Sequence, residues 1–182
     1  MTAVIALYDR LSGALSRHAP AAIPTLGRAT YAAVLLIYFW NSARTKIGDG
    51  LFGIFRPSDG AYIQIFPKAV EAAGYDVSQL SLFHWAVVVA GTWAELLLPL
   101  LILVGLLTRL AALGMIGFVL VQSATDILGH GVMGDDLGRW FDAGSGSLIL
   151  DQRALWVFLL ATLVLTGAGP LSLDRLLARD RS

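Results

Sequence analysis

From Trp85 to Leu107 the chain carries only two polar side chains, Thr92 and Glu95. A helix needs about 20 apolar residues to cross the hydrocarbon core of a bilayer, and few other folds are open to so long an apolar run. The span is read as Phe83 to Leu107. Three more runs follow the same rule, at about Leu26 to Lys46, Leu110 to Leu128, and Gln152 to Ala168. The last is short, and the breakers Gly167, Gly169 and Pro170 close it. Composition agrees. Of 182 residues 57% are hydrophobic and 14% charged, whereas soluble domains carry about 45–50% and about 25%. The excess must face lipid. The expected fold is an all-α membrane protein, a four-transmembrane-helix bundle.

Before the first span, Val4, Leu7, Tyr8, Leu11 and Leu15 recur at three- and four-residue steps. That pattern marks one face of a helix, while Asp9, Arg10, Arg17 and His18 interrupt any signal-like apolar stretch. Residues 1–25 are therefore read as an N-terminal amphipathic interfacial helix, ended by Pro20 and Pro24. Residues 26–177 form the four-helix domain, and 178–182 a tail. Spans two and three are separated by Leu107-Thr108-Arg109-Leu110, a turn tight enough to make them antiparallel neighbours. The connection Ile47 to Leu82 holds a short helix, Lys68 to Ala73, that Gly74 can cap. The connection Gly129 to Asp151 is acidic and glycine-rich.

An even number of spans places both termini on one side, with Arg10, Arg17, Arg28, Arg109, Arg175, Arg179 and Arg181. Arg44, Lys46, Arg56, Lys68, Arg139 and Arg153 lie on the other. The narrow basic majority orients the termini to the cytoplasm. A net charge of zero leaves no electrostatic footprint for nucleic acid. The absence of cysteine removes disulfides, thiolate metal sites and any dithiol relay on this chain.

The informative residues are the polar ones at membrane depth. Glu95 lies near the middle of the second span, where a charged side chain costs on the order of 2.5–3.5 kcal/mol. It should face the interior, paired or protonated. Pro99 stands four residues later and denies the Glu95 carbonyl its helical donor, so a kink is expected. Gln122, Asp126 and His130 stand four residues apart along the third span and stack on one helical face. Asp126 sits near a helix C-terminus, where the dipole disfavours an acid, and needs a cation. Asn41, Arg44 and Lys46 close the first span on the same side, and His84 opens the second. These eight residues make the candidate polar intramembrane site, with Glu95 as its floor. Its bland form is an ionic lock in which Glu95 or Asp126 pairs with Arg44. Its sharper form is a site for a polar headgroup, a quinone carbonyl or a proton path. A metal site built from His84, His130 and Asp126 is the weaker reading, and none is assigned.

Three motifs point to a family. AELLLPLLILVGLLTRLAAL, Ala94 to Leu113, resembles the DoxX pattern of a membrane-buried glutamate, a leucine-rich run and Gly-Leu-x-Thr-Arg, carried by Glu95, Gly105, Thr108 and Arg109. WNSARTKI, Trp40 to Ile47, is similar to the family's aromatic-small-lysine ending, with Lys46 in the lysine position. GAGPLSLDRLL, Gly167 to Leu177, resembles its closing segment. Arg44 and the long connection from Gly129 depart from that pattern.

The resemblance implies a multi-pass protein of the bacterial plasma (inner) membrane. It also implies an accessory membrane subunit of a redox system, with no cofactor bound on this chain and a diffusible quinone as the implied electron carrier. Its implied partner is a soluble redox or metal-handling protein; the lipid bilayer follows from the spans, and a homodimer is expected where four spans must act as a transporter. A non-catalytic anchor for a soluble partner and a small transporter with Glu95 as its coupling acid are the competing readings. Against the transporter stands the lack of inverted halves.

Overall fold

The computed structural model describes residues 2–179 of the chain. It is helical throughout, and no strand occurs among the described residues. The first span is the end of a much longer helix. Helix α1 (Thr2–Tyr31) passes through a π-helical turn (Ala32–Leu36) into α2 (Ile37–Lys46) without a gap. The break expected at Pro20 and Pro24 is therefore absent: both prolines lie inside α1. Proline removes one N–H and crowds one carbonyl, and a helix that continues on both sides of that defect bends rather than ends. Most of the tail expected at 178–182, including Arg181, lies outside the described residues.

The other three spans match the reading with shifted ends. They are α5 (Leu82–Val104), α6 (Thr108–Ala124) extended by a π-helical turn (Thr125–Gly129), and α7 (Arg153–Thr166) preceded by another (Leu148–Gln152). All four helices are long and apolar enough to cross a membrane. The spans close a ring: the α1–α2 helix touches α5, α5 touches α6, α6 touches α7, and α7 returns to α1. Tyr31, Leu35, Phe39 and Ala43, four residues apart on the first span, are fully or almost fully buried at the centre of that ring. Tyr31, Leu35 and Phe39 meet Ile102, Met115, Val119, Leu160 and Leu163.

The connection after the first span holds two short helices, α3 (Asp59–Ile65) and α4 (Pro67–Ala72). The expected helix at Lys68 to Ala73 is α4, and Gly74 adopts the left-handed conformation after it. Helix α3 was not anticipated. Ala61, Tyr62 and Val70 pack with Val88 of α5 and fasten this cap over one end of the bundle.

The opposite end, where the termini lie, is tied by two charged side chains. Arg28 donates to four carbonyls: Ile102 (2.8 Å), Leu103 (2.6 Å), Ala168 (2.9 Å) and Leu171 (2.5 Å). Ile102 and Leu103 belong to the last turn of α5, and Ala168 and Leu171 to the segment after α7, so one side chain ties the two helix ends together. Asp174, in α8 (Leu173–Arg179), accepts from the backbone N–H of Leu107 (2.7 Å) and Thr108 (3.0 Å) and so caps α6. Gly105 sits between them at φ 71°. A Cβ there would stand 2.6 Å from Ser172 and 2.7 Å from the Arg28 guanidinium, so only glycine fits the turn.

Candidate functional site

Helix α2 turns two unlike faces to its surroundings. Phe39, Ser42 and Lys46 succeed each other at three- and four-residue steps on the inner face, while Asn41 and Arg44 are exposed on the outer one. Lys46 therefore reaches Glu95 of α5, and Arg44 does not. The Lys46 ammonium lies 3.0 Å from Glu95 Oε2 and 3.1 Å from Oε1. Ser42 completes a closed triad, donating its hydroxyl to Glu95 Oε1 (2.9 Å) and accepting from Lys46 (2.7 Å). Glu95 is 2% exposed and Lys46 5%, so each charge has given up its solvent for the other.

The two ion pairs among the described residues are this one and Arg153–Asp126, at 2.6 Å. Both correct the expected lock with Arg44. Asp126 did need a cation, but Arg153 supplies it from the start of α7, also donating to Ser123 Oγ (3.1 Å). Both partners stand at π-helical turns, Asp126 inside one and Arg153 directly after the other. A π turn takes an additional residue and so rotates the rest of the helix about its axis, a change of facing that linear spacing does not show.

Between α2, α3, α5 and α6 lies a cavity of about 440 Å³. Lys46, Glu95, Gln122, Asp126 and His130, five of the eight expected residues, line it. Its apolar walls are mostly small: Ala90, Gly91 and Ala94 on α5, Gly114 and Gly117 on α6, with Phe118 and Val121 beside them. At Gly117 a Cβ would meet open space. Gln122 donates to the Tyr38 hydroxyl (3.2 Å) and leaves its Oε1 buried without a partner. His130 contacts the Gln64 carbonyl at 2.9 Å through Nε2.

Three expected residues lie elsewhere. Asn41 and Arg44 are exposed on the far side of α2. His84 belongs to the start of α5, where its Nδ1 accepts from the Ser81 N–H (3.2 Å) in a capping box. Its ring lies against Phe66 and Phe83. Among the described residues no three His, Asp or Glu side chains come together as a metal cluster. Ser42, Gln64 and Arg153 were missed. Ser42 had a signal, since it precedes Lys46 by one turn on the buried face; Gln64 and Arg153 had none.

The DoxX family model matches residues 24–125, more than half of the chain. No curated protein and no solved structure matches it.

Proposed function

The chain belongs to the DoxX family of small integral membrane proteins, and on that premise we propose that it is the accessory membrane subunit of a redox system, holding a quinone-type ligand between α2, α5 and α6. One observation carries the reading: a buried, fully hydrogen-bonded Lys46–Glu95 pair forms the polar floor of a slot whose walls are small and apolar. Ligand pockets of about 300–1,000 Å³ combine apolar walls with a few placed polar groups in this way. A quinone head is a flat ring with carbonyls at its edge. A quinone carbonyl would take a Lys46 N–H from its 3.2 Å contact with the Ser42 carbonyl, Glu95 could accept from the hydroxyl of the reduced quinol, and Gly117 leaves room for a ring to lie flat. Electrons would come from a soluble partner. The narrow basic majority supports cytoplasmic termini and the family likeness supports the bacterial plasma membrane; the slot would then face the outer leaflet.

The test is Gly117→Leu, which fills the slot from a position where a Cβ meets no atom within 4 Å. Wild-type protein in mild detergent should bind a short-chain ubiquinone, and the variant should lose that binding at unchanged melting temperature. Equal binding by both sinks the proposal.

The anchor reading has its own support in the connection before α7. Trp140 is 59% exposed and Phe141 is fully exposed at φ 65°, an aromatic pair displayed at a loop tip. It predicts that replacing residues 129–152 abolishes recovery of a soluble partner while Glu95→Gln leaves recovery intact.

A further inference from the structure

The helix that opens the chain is longer than a membrane requires. Ala3–Lys46 has 44 residues, or about 66 Å at about 1.5 Å per residue, against a hydrocarbon core of about 30 Å. Its outer part displays Val4, Ile5, Leu7, Tyr8, Leu11 and Leu15, every one more than half exposed. Water is a poor partner for that stripe.

Two opposite faces run the length of α1. Tyr8, Leu11, Leu15, Ala22 and Leu26 succeed one another at steps of three, four and seven residues. They lead directly into the lipid-facing side of the first span, where Leu26, Ala33 and Ile37 are exposed. The other face carries Gly13, Arg17, Pro20, Pro24, Arg28 and Tyr31, and its lower part is the surface the bundle buries, from Pro24 onward. Both prolines thus stand on the bundle side, and the apolar stripe continues the lipid side.

Proline lacks an N–H and its ring pushes away the carbonyl four residues earlier, so a helix opens on the proline's side and bends away from it. Pro20 and Pro24 open the same side. The bend carries the outer arm away from the bundle with its apolar stripe foremost, toward the plane of the headgroups. Arg10 and Arg17, on the opposite face, stay in reach of water and phosphates. We infer that residues 2–19 lie on the membrane surface as an arm hinged at Pro20 and Pro24, with the headgroup–acyl boundary as partner. A second copy fits less well. A two-stranded coiled coil uses a narrow seam with polar flanks, and Ile5 and Leu7 broaden this stripe beyond one.

The chain has no cysteine, so single labels report single sites. Nitroxides at Leu11→Cys, Leu15→Cys, Gly13→Cys and Arg17→Cys would be placed in the full chain in phosphatidylcholine vesicles, with or without phosphatidylglycerol. Oxygen-to-nickel accessibility at 11 and 15 should exceed that at 13 and 17 by about threefold or more, as for a helix half-sunk at the interface. Equal aqueous exposure at all four sites overturns the inference. So does cross-linking of Leu11→Cys between two copies that persists on dilution into excess lipid. In Pro20→Ala/Pro24→Ala the contrast should fall, and an unchanged contrast overturns the hinge.

Discussion

The two ends of the bundle handle charge in opposite ways. At the terminal end, Arg28 and Asp174 spend themselves on backbone groups at and just beyond helix ends, four carbonyls and two N–H groups. At the other end, Lys46 meets Glu95 and Arg153 meets Asp126, charge against charge, around a cavity. The first arrangement finishes helices and packs closely around Gly105, beside a surface cleft of about 660 Å³ lined by Leu107, Thr108 and Asp174. The second leaves space with polar groups facing it. A buried ion pair is weak support for stability, because desolvation offsets much of its attraction. An end that carries such pairs keeps polar chemistry at membrane depth.

The contrast breaks most sharply at Arg28. Arg28→Lys supplies one ammonium where a planar fork reaches four carbonyls. It should destabilise by about 4–6 kcal/mol, given about 1.5–3 for each charged hydrogen bond and water reaching some of the freed groups. Thermal unfolding in detergent measures it, and a loss below about 1 kcal/mol would remove the distinction between the ends.

At the cavity end the single variant Lys46→Met should cost about 3–5 kcal/mol, because it strands a buried carboxylate. Lys46→Met/Glu95→Gln should recover most of that loss while ubiquinone binding stays abolished. If the double variant is as unstable as the single, the pair is a structural lock.

The smallest effect lies outside the membrane. Asp76 accepts from the Ser78 hydroxyl, the Gln79 amide and the Ser78 N–H, which hold its carboxyl below the usual carboxylate range. With the folded value depressed, its contribution to stability is present above the ordinary carboxylate range and is lost as pH falls through the lowered value. Asp76→Asn should flatten that acid limb of a melting-temperature profile slightly and change nothing near neutral pH.

The spans were legible because lipid demands long apolar helices, and length and hydropathy are linear properties of a chain. Glu95 was legible for the complementary reason: an acid in such a run must turn inward. Its partner was harder. Lys46 and Arg44 are two residues apart on one helix end, and only the side of α2 that faces α5 separates them. A face count from Tyr31, Leu35 and Phe39 would have chosen Lys46. No count would have chosen Arg153 for Asp126, since the pair spans a long connection and two π-helical turns.

The sequence by itself determined four spans, a tight turn between the second and third, an amphipathic arm and a buried acid, all consequences of local composition against a fixed bilayer thickness. It misjudged the prolines, reading as an ending what a longer helix carries as an internal defect. The tertiary structure decided which cation meets which anion, that His84 caps a helix, and that small residues on α5 and α6 leave a cavity over Glu95. Those depend on the rotation of each helix about its axis, which only the packing of all four together sets.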